Sequence, residues 1–107
     1  MNILRSYGSD LMMVLITYDV ETVSPKGRGR LRRVAKKCTD YGMRVQNSVF
    51  ECIVDAAQCK MLQAELLSII DLEKDSLRFY YLGNNYQTKI EHFGVNEVTS
   101  MDDVLLI

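Results

Sequence analysis

From Met12 to Val20 the chain is almost wholly apolar and includes β-branched Val14, Ile16 and Thr17, the pattern of a strand buried on both faces. The next stretch, ETVSPKGRG, holds the only proline and two of the six glycines and reads as a flexible loop. Leu31, Val34, Ala35, Cys38 and Tyr41 then recur at helical spacing, predicting an amphipathic helix that ends at Gly42. RVQNSVFECIV, residues 44–54, is rich in Val, Ile and Phe and reads as two strands joined by a tight turn. A second helix is expected after Asp55, which can cap it while Gln58 sits where a capping box needs a glutamine. Its buried stripe would be Cys59, Leu62, Leu66, Ile69 and Ile70. SLRFYYL, residues 76–82, is the next strand, with Leu77, Phe79 and Tyr81 on one side. After the turn signal Gly83-Asn84-Asn85, YQTKIEHF reads as one more short strand.

The order strand, helix, strand, strand, helix, strand predicts an α+β fold, the ferredoxin-like βαββαβ sandwich, with an extra C-terminal strand. With 107 residues the chain is expected to form a single domain over 12–107 that includes the C-terminal strand and tail. Residues 1–11, MNILRSYGSDL, read as an N-terminal extension, an upstream start or a cloning remnant. Both helices on one face of an antiparallel sheet leave the other face in need of cover, which a second copy can supply; a homodimer is expected.

Composition alters this picture in one respect. The formal net charge is only -1, which by itself argues against a nucleic-acid partner. Yet Lys26, Arg28, Arg30, Arg32, Arg33, Lys36 and Lys37 put seven cations in twelve residues with no acid among them, while acids crowd the second half. That asymmetry makes either a solvated helix face or a nucleic-acid-binding one. Arg30, Arg33 and Lys37 share one face at i, i+3 and i+7, a stripe suited to following a phosphate backbone without reading bases. Three cysteines with no close pair, and a lone His92, fit core thiols in a reducing cytoplasm and give no zinc spacing. No apolar run is long enough to span a bilayer, so no membrane partner is expected.

Two stretches, LITYDV (15–20) and RVQNSVFECIVD (44–55), strongly resemble the CRISPR-associated Cas-two family, as do LGNNYQTKIEH and the tail MDDVLLI. The resemblance covers residues 12–107. It implies a homodimer that serves CRISPR adaptation, holds a spacer duplex DNA and bridges the Cas-one integrase. It also implies a metal-dependent endonuclease activity on duplex DNA or on single-stranded RNA. On this resemblance Tyr18 and Asp19 match the family's Tyr-Asp pair, Arg33 and Arg44 match basic positions, and Ser48 and Phe50 match a Ser-x-Phe element.

Phosphodiester cleavage needs a positioned water and charge neutralisation, which Mg²⁺ supplies through hard oxygen ligands. Asp19 is therefore the expected catalytic and metal-binding residue, against the plainer reading of a strand-ending aspartate that makes a turn. One carboxylate is a thin site, but two copies of Asp19 near a dimer axis would share one metal. Two such carboxylates repel until a proton or a metal arrives, so metal binding should improve as pH rises. Arg30, Arg33, Lys37 and Arg44 are the expected nucleic-acid contacts. Tyr18, Ser48 and Phe50 are supporting residues, of which Tyr18 and Phe50 read first as packing positions and Ser48 serves equally well as a plain strand serine. A toxin-type ribonuclease of similar fold, without an adaptation role, is the alternative function. A ferredoxin-like domain that senses a small molecule lacks the glycine-rich loop it would need.

Overall fold

The computed structural model describes residues 11–94. The expected extension, Leu11 apart, and the tail MDDVLLI lie outside the described residues. The elements are β1 (Met12–Asp19), α1 (Pro25–Thr39), β2 (Gly42–Gln46), β3 (Val49–Val54), α2 (Ala56–Ile69) and β4 (Ser76–Gly83), followed by a 3₁₀ turn at Tyr86–Lys89. The four strands form one antiparallel sheet in the order β2-β3-β1-β4, so the first strand lies in the interior between two long partners. This is the ferredoxin-like arrangement that the apolar periodicity predicts.

Alternation along the strands divides the sheet into two unlike faces. Val14, Ile16, Tyr18 and Val20 turn to one side together with Phe50, Cys52 and Val54. There they pack against Leu31, Val34, Ala35 and Cys38 of α1 and Cys59, Leu62 and Leu66 of α2. Leu77 and Phe79 pack at the margin of this core, whereas Tyr81, in the same row, stays exposed. The three thiols are free and buried, as expected of core cysteines; burial pushes that of Cys52 up to about 12.

The second helix starts as predicted. Asp55 accepts from the Gln58 N–H at 2.7 Å and the Gln58 side chain accepts from the Asp55 N–H at 3.0 Å. The first helix starts earlier than predicted, because the segment read as a flexible loop carries its own start signal. Ser24 caps it by accepting from the Gly27 N–H at 3.0 Å, and Pro25 occupies the first turn, where a missing N–H costs nothing. Glu21 steadies the cap by accepting from the Ser24 N–H and hydroxyl at 2.6 and 2.8 Å. Gly27 is buried against the Glu21 carbonyl, where a Cβ would collide. The helix also closes at Thr39, three residues before Gly42.

YQTKIEHF does not form the expected strand. Tyr86–Lys89 is a 3₁₀ turn, and the described residues after it join no sheet. β4 offers a free edge, but after the left-handed Gly83 the chain closes a 3₁₀ turn beside that edge and pairs no strand with it. Lys89 instead folds back, its Nζ donating to the Leu82 carbonyl at 2.8 Å.

Candidate nucleic-acid interface and metal site

Tyr18 and Asp19 close β1, and the strand period sends them to opposite faces. Tyr18 points into the core, 5% exposed, and its ring stacks on Phe50 with centroids 6.2 Å apart. Burial pushes its phenol above the ordinary range, with nearby Cys38 acting the same way and Arg44 against it. Its hydroxyl donates to the Asn47 carbonyl at 3.5 Å, and its N–H donates to the Ser48 carbonyl at 3.2 Å. Tyr18 therefore ties the mouth of β1 to the β2–β3 turn. Phe50 is fully buried and cannot reach a substrate. Ser48 is half-buried and acts through its backbone in that same turn.

Asp19 is exposed on the sheet face that carries no helix, opposite Ser76 of β4. No ion pair engages it among the described residues. That face is apolar over much of its area. Ile53 and Met13 lie side by side, then Met43, Glu51, Leu15 and Tyr80 form a row, then Val49, Thr17 and Arg78, then Asp19 and Ser76. Met43 is 61% exposed, Ile53 44% and Tyr80 42%, large apolar groups that a lone sheet leaves in water.

The four expected phosphate contacts fare differently. Arg30 is buried and held within the fold: Nε and Nη2 donate to the two oxygens of Asp75 at 2.7 and 3.2 Å, and Glu21 lies 3.6 Å away. The Asp75 side chain is fully shielded from solvent and also accepts from the N–H groups of Glu21 and Asp71. This clamp joins α1 to both loops at the Asp19 end of the sheet, and it removes Arg30 from the expected stripe. Lys37 is half-exposed and pairs with Glu65 at 3.2 Å and Asp40 at 3.6 Å. Arg44 is 5% exposed on the covered face beside Phe50; only its Nη2 finds a partner, Asn47 Oδ1 at 3.5 Å, and its Nε and Nη1 have none. Arg33 alone of the four stands open on the helix surface.

The exposed cations of α1 are instead Lys26, Arg28, Arg32, Arg33 and Lys36, and Arg28, Arg32 and Lys36 follow one another at i, i+4 and i+8. A helix begun at Pro25 would have disclosed this from sequence, since Gly27, Arg30 and Leu31 then continue the buried stripe of Val34, Ala35 and Cys38. The cationic surface and Asp19 lie on opposite layers of the molecule. Sequence reasoning also passed over Arg78, whose place beside Asp19 depends on the pairing of β1 with β4.

Metal binding can be judged from the donor set. Among the described residues no cluster of three His, Cys, Asp or Glu side chains could hold an ion. At the mouth of β1 a single chain presents Asp19, an open hard-oxygen ligand. That fits Mg²⁺, which binds through one or two carboxylates while keeping several waters, and does not fit zinc, which demands a closed N/S set.

Fold and surface together describe a small ferredoxin-like protein with a carboxylate on its open sheet face and a cationic first helix. Comparison with known proteins places it more narrowly. Residues 12–90 match the family model described as CRISPR associated protein Cas2, and the chain belongs to that family. It is 61% identical over 95 residues to the CRISPR-associated endonuclease Cas2 of Halalkalibacterium halodurans, covering 89% of this chain and 99% of that one. It is 54% identical over 101 residues to the CRISPR-associated endoribonuclease Cas2 of Nitratidesulfovibrio vulgaris, covering 94% and 99%. Among solved structures, Streptococcus pyogenes Cas2 at pH 6.5 superposes with a TM-score of 0.69 at 58% identity, covering 78% of this chain and all of that one. No helix among the described residues is long and apolar enough to cross a membrane.

Proposed function

We propose that the protein works as a homodimer whose open sheet faces meet, and that Asp19 from each copy forms a Mg²⁺-dependent site for phosphodiester cleavage in DNA or RNA. The carrying observation is the position of Asp19: an exposed carboxylate without an ion pair among the described residues, at the margin of an apolar face that a single chain leaves uncovered. The names of the relatives, endonuclease for one and endoribonuclease for the other, support a nuclease and divide on its substrate. Bound between two carboxylates, Mg²⁺ would neutralise the phosphate and activate a water. The chain's own part is to hold Asp19 at the strand mouth, through Tyr18 on one side and the Arg30–Asp75 clamp on the other.

The same dimer acts in CRISPR adaptation as an adaptor that holds spacer duplex DNA and bridges copies of the partner Cas-one integrase. Family membership supports this role, as does the cationic surface of α1, which can follow a backbone without sequence preference. The two roles are separable. Wild type and Asp19→Ala would be compared for Mg²⁺-dependent cleavage of RNA and of duplex DNA, and for spacer integration with the partner integrase. The expected result is loss of cleavage with integration retained. Undiminished cleavage by Asp19→Ala would refute the metal site, and failed spacer integration by a folded wild-type dimer with its integrase would refute the adaptor.

A further inference from the structure

Period-two alternation and the β1–β4 register place one cation beside Asp19. Ser76 lies directly opposite Asp19 and Arg78 directly opposite Thr17, so Asp19, Thr17, Ser76 and Arg78 share the open face. Arg78 is thereby the diagonal neighbour of Asp19, with backbone positions about 7–8 Å apart, a gap that long side chains span. Among the described strand residues on this face the charged groups are Asp19, Glu51 and Arg78, and Arg78 is the only positive one.

Arg78 does not neutralise Asp19. Its Nη1 donates to the Tyr80 hydroxyl at 3.0 Å and its guanidinium lies over the Tyr80 ring, 5.8 Å from the centroid. The contact occupies one of five N–H donors and leans the guanidinium toward Tyr80, which pairs with Leu15 on the side away from Asp19, leaving it unpaired with the carboxylate. Such an arrangement suits a phosphodiester. A carboxylate presented alone repels the phosphate it must act on, whereas a guanidinium alongside offers two parallel donors to the phosphate oxygens and remains charged at any working pH.

We propose that Arg78 is a phosphate-binding residue of the Asp19 site, swinging from its contact with Tyr80 to engage the phosphodiester on which that site acts. The proposal rests on the reading of Asp19 given above. A structural role would instead make Arg78 a contact between the two sheet faces, so oligomeric state has to be measured alongside function.

The test uses the full-length chain and its Arg78→Ala, Arg78→Lys and Asp19→Ala variants. Binding of a labelled RNA oligonucleotide and of a DNA duplex would be followed in EDTA across a salt series, with Mg²⁺-dependent cleavage and sedimentation measured in parallel. Arg78→Ala should reduce the slope of log affinity against log salt by about one. It should slow cleavage roughly a hundred-fold while the sedimentation coefficient stays that of wild type. Arg78→Lys should restore the slope and part of the rate, because it keeps the charge and loses the fork. An unchanged slope and rate in Arg78→Ala, with Asp19→Ala inactive, overturns the assignment of Arg78 alone. Dissociation of Arg78→Ala into monomers overturns it in favour of an interface contact. Full cleavage by Asp19→Ala sinks the metal site and the catalytic half of this proposal with it.

Discussion

The two faces of the sheet are built to different standards. On the covered face Val14, Ile16, Phe50, Cys52, Leu62 and Leu66 are closed off from water, and Arg30 has a carboxylate partner in Asp75. Among the described residues only Arg44 departs from that economy, with two buried nitrogens unsatisfied. On the open face Met43, Ile53 and Tyr80 lie in solvent beside Asp19 and Arg78. One chain is thus sufficient to complete the first face and insufficient to complete the second. The residues that chemistry would use lie on the insufficient one.

Substitutions on each face should fail in different ways. The largest effect belongs to the covered face: Phe50→Ala opens a cavity beside Tyr18 and should cost about 3–5 kcal/mol in chemical denaturation, taking function with it only through unfolding. Next, Ile53→Lys with Met43→Lys should abolish self-association in sedimentation while far-UV circular dichroism stays native, since both side chains already face water in one chain. A double variant that remains dimeric would break the comparison. Asp75→Asn should lower the melting temperature at neutral pH and flatten its acid limb. The hydrogen bonds from Arg30 hold the Asp75 carboxyl near 2, below its ordinary range, so its contribution is present at neutral pH and is lost as pH falls from the ordinary carboxylate range toward 2. The smallest effect is expected from Arg32→Ala with Lys36→Ala on the outer surface of α1: weaker duplex binding and a salt slope lower by about two, with melting unchanged.

Much of this was legible from sequence because it follows from periodicity. The strand ending at Asp19, the Asp55–Gln58 capping box and the buried stripe of Cys59, Leu62 and Leu66 all required only local pattern. The errors share a cause. Reading ETVSPKGRG as a loop hid the first turn of α1, and with it the fact that Arg30 is on the buried side. Arg44 reads as a surface cation because a strand's period assigns faces only relative to one another, and its pairing with Phe50 decides which one is covered. Arg78 needed the register of two strands about sixty residues apart in the chain, information that no local window holds. YQTKIEHF has the composition of a strand, yet composition cannot say whether the chain leaving Gly83 runs along the β4 edge or turns beside it.

The central claim is that two copies of Asp19 complete one site across the meeting of two open faces. It is tested most directly by mixing wild-type and Asp19→Ala chains in varying proportion, allowing subunits to exchange, and measuring Mg²⁺-dependent cleavage at constant total protein. If both carboxylates serve one site, activity follows the square of the wild-type fraction and an equal mixture retains about one quarter of the full rate, as random pairing in a two-fold dimer requires. Activity that falls in simple proportion to the wild-type fraction would show that each chain carries a site of its own, and would contradict the account.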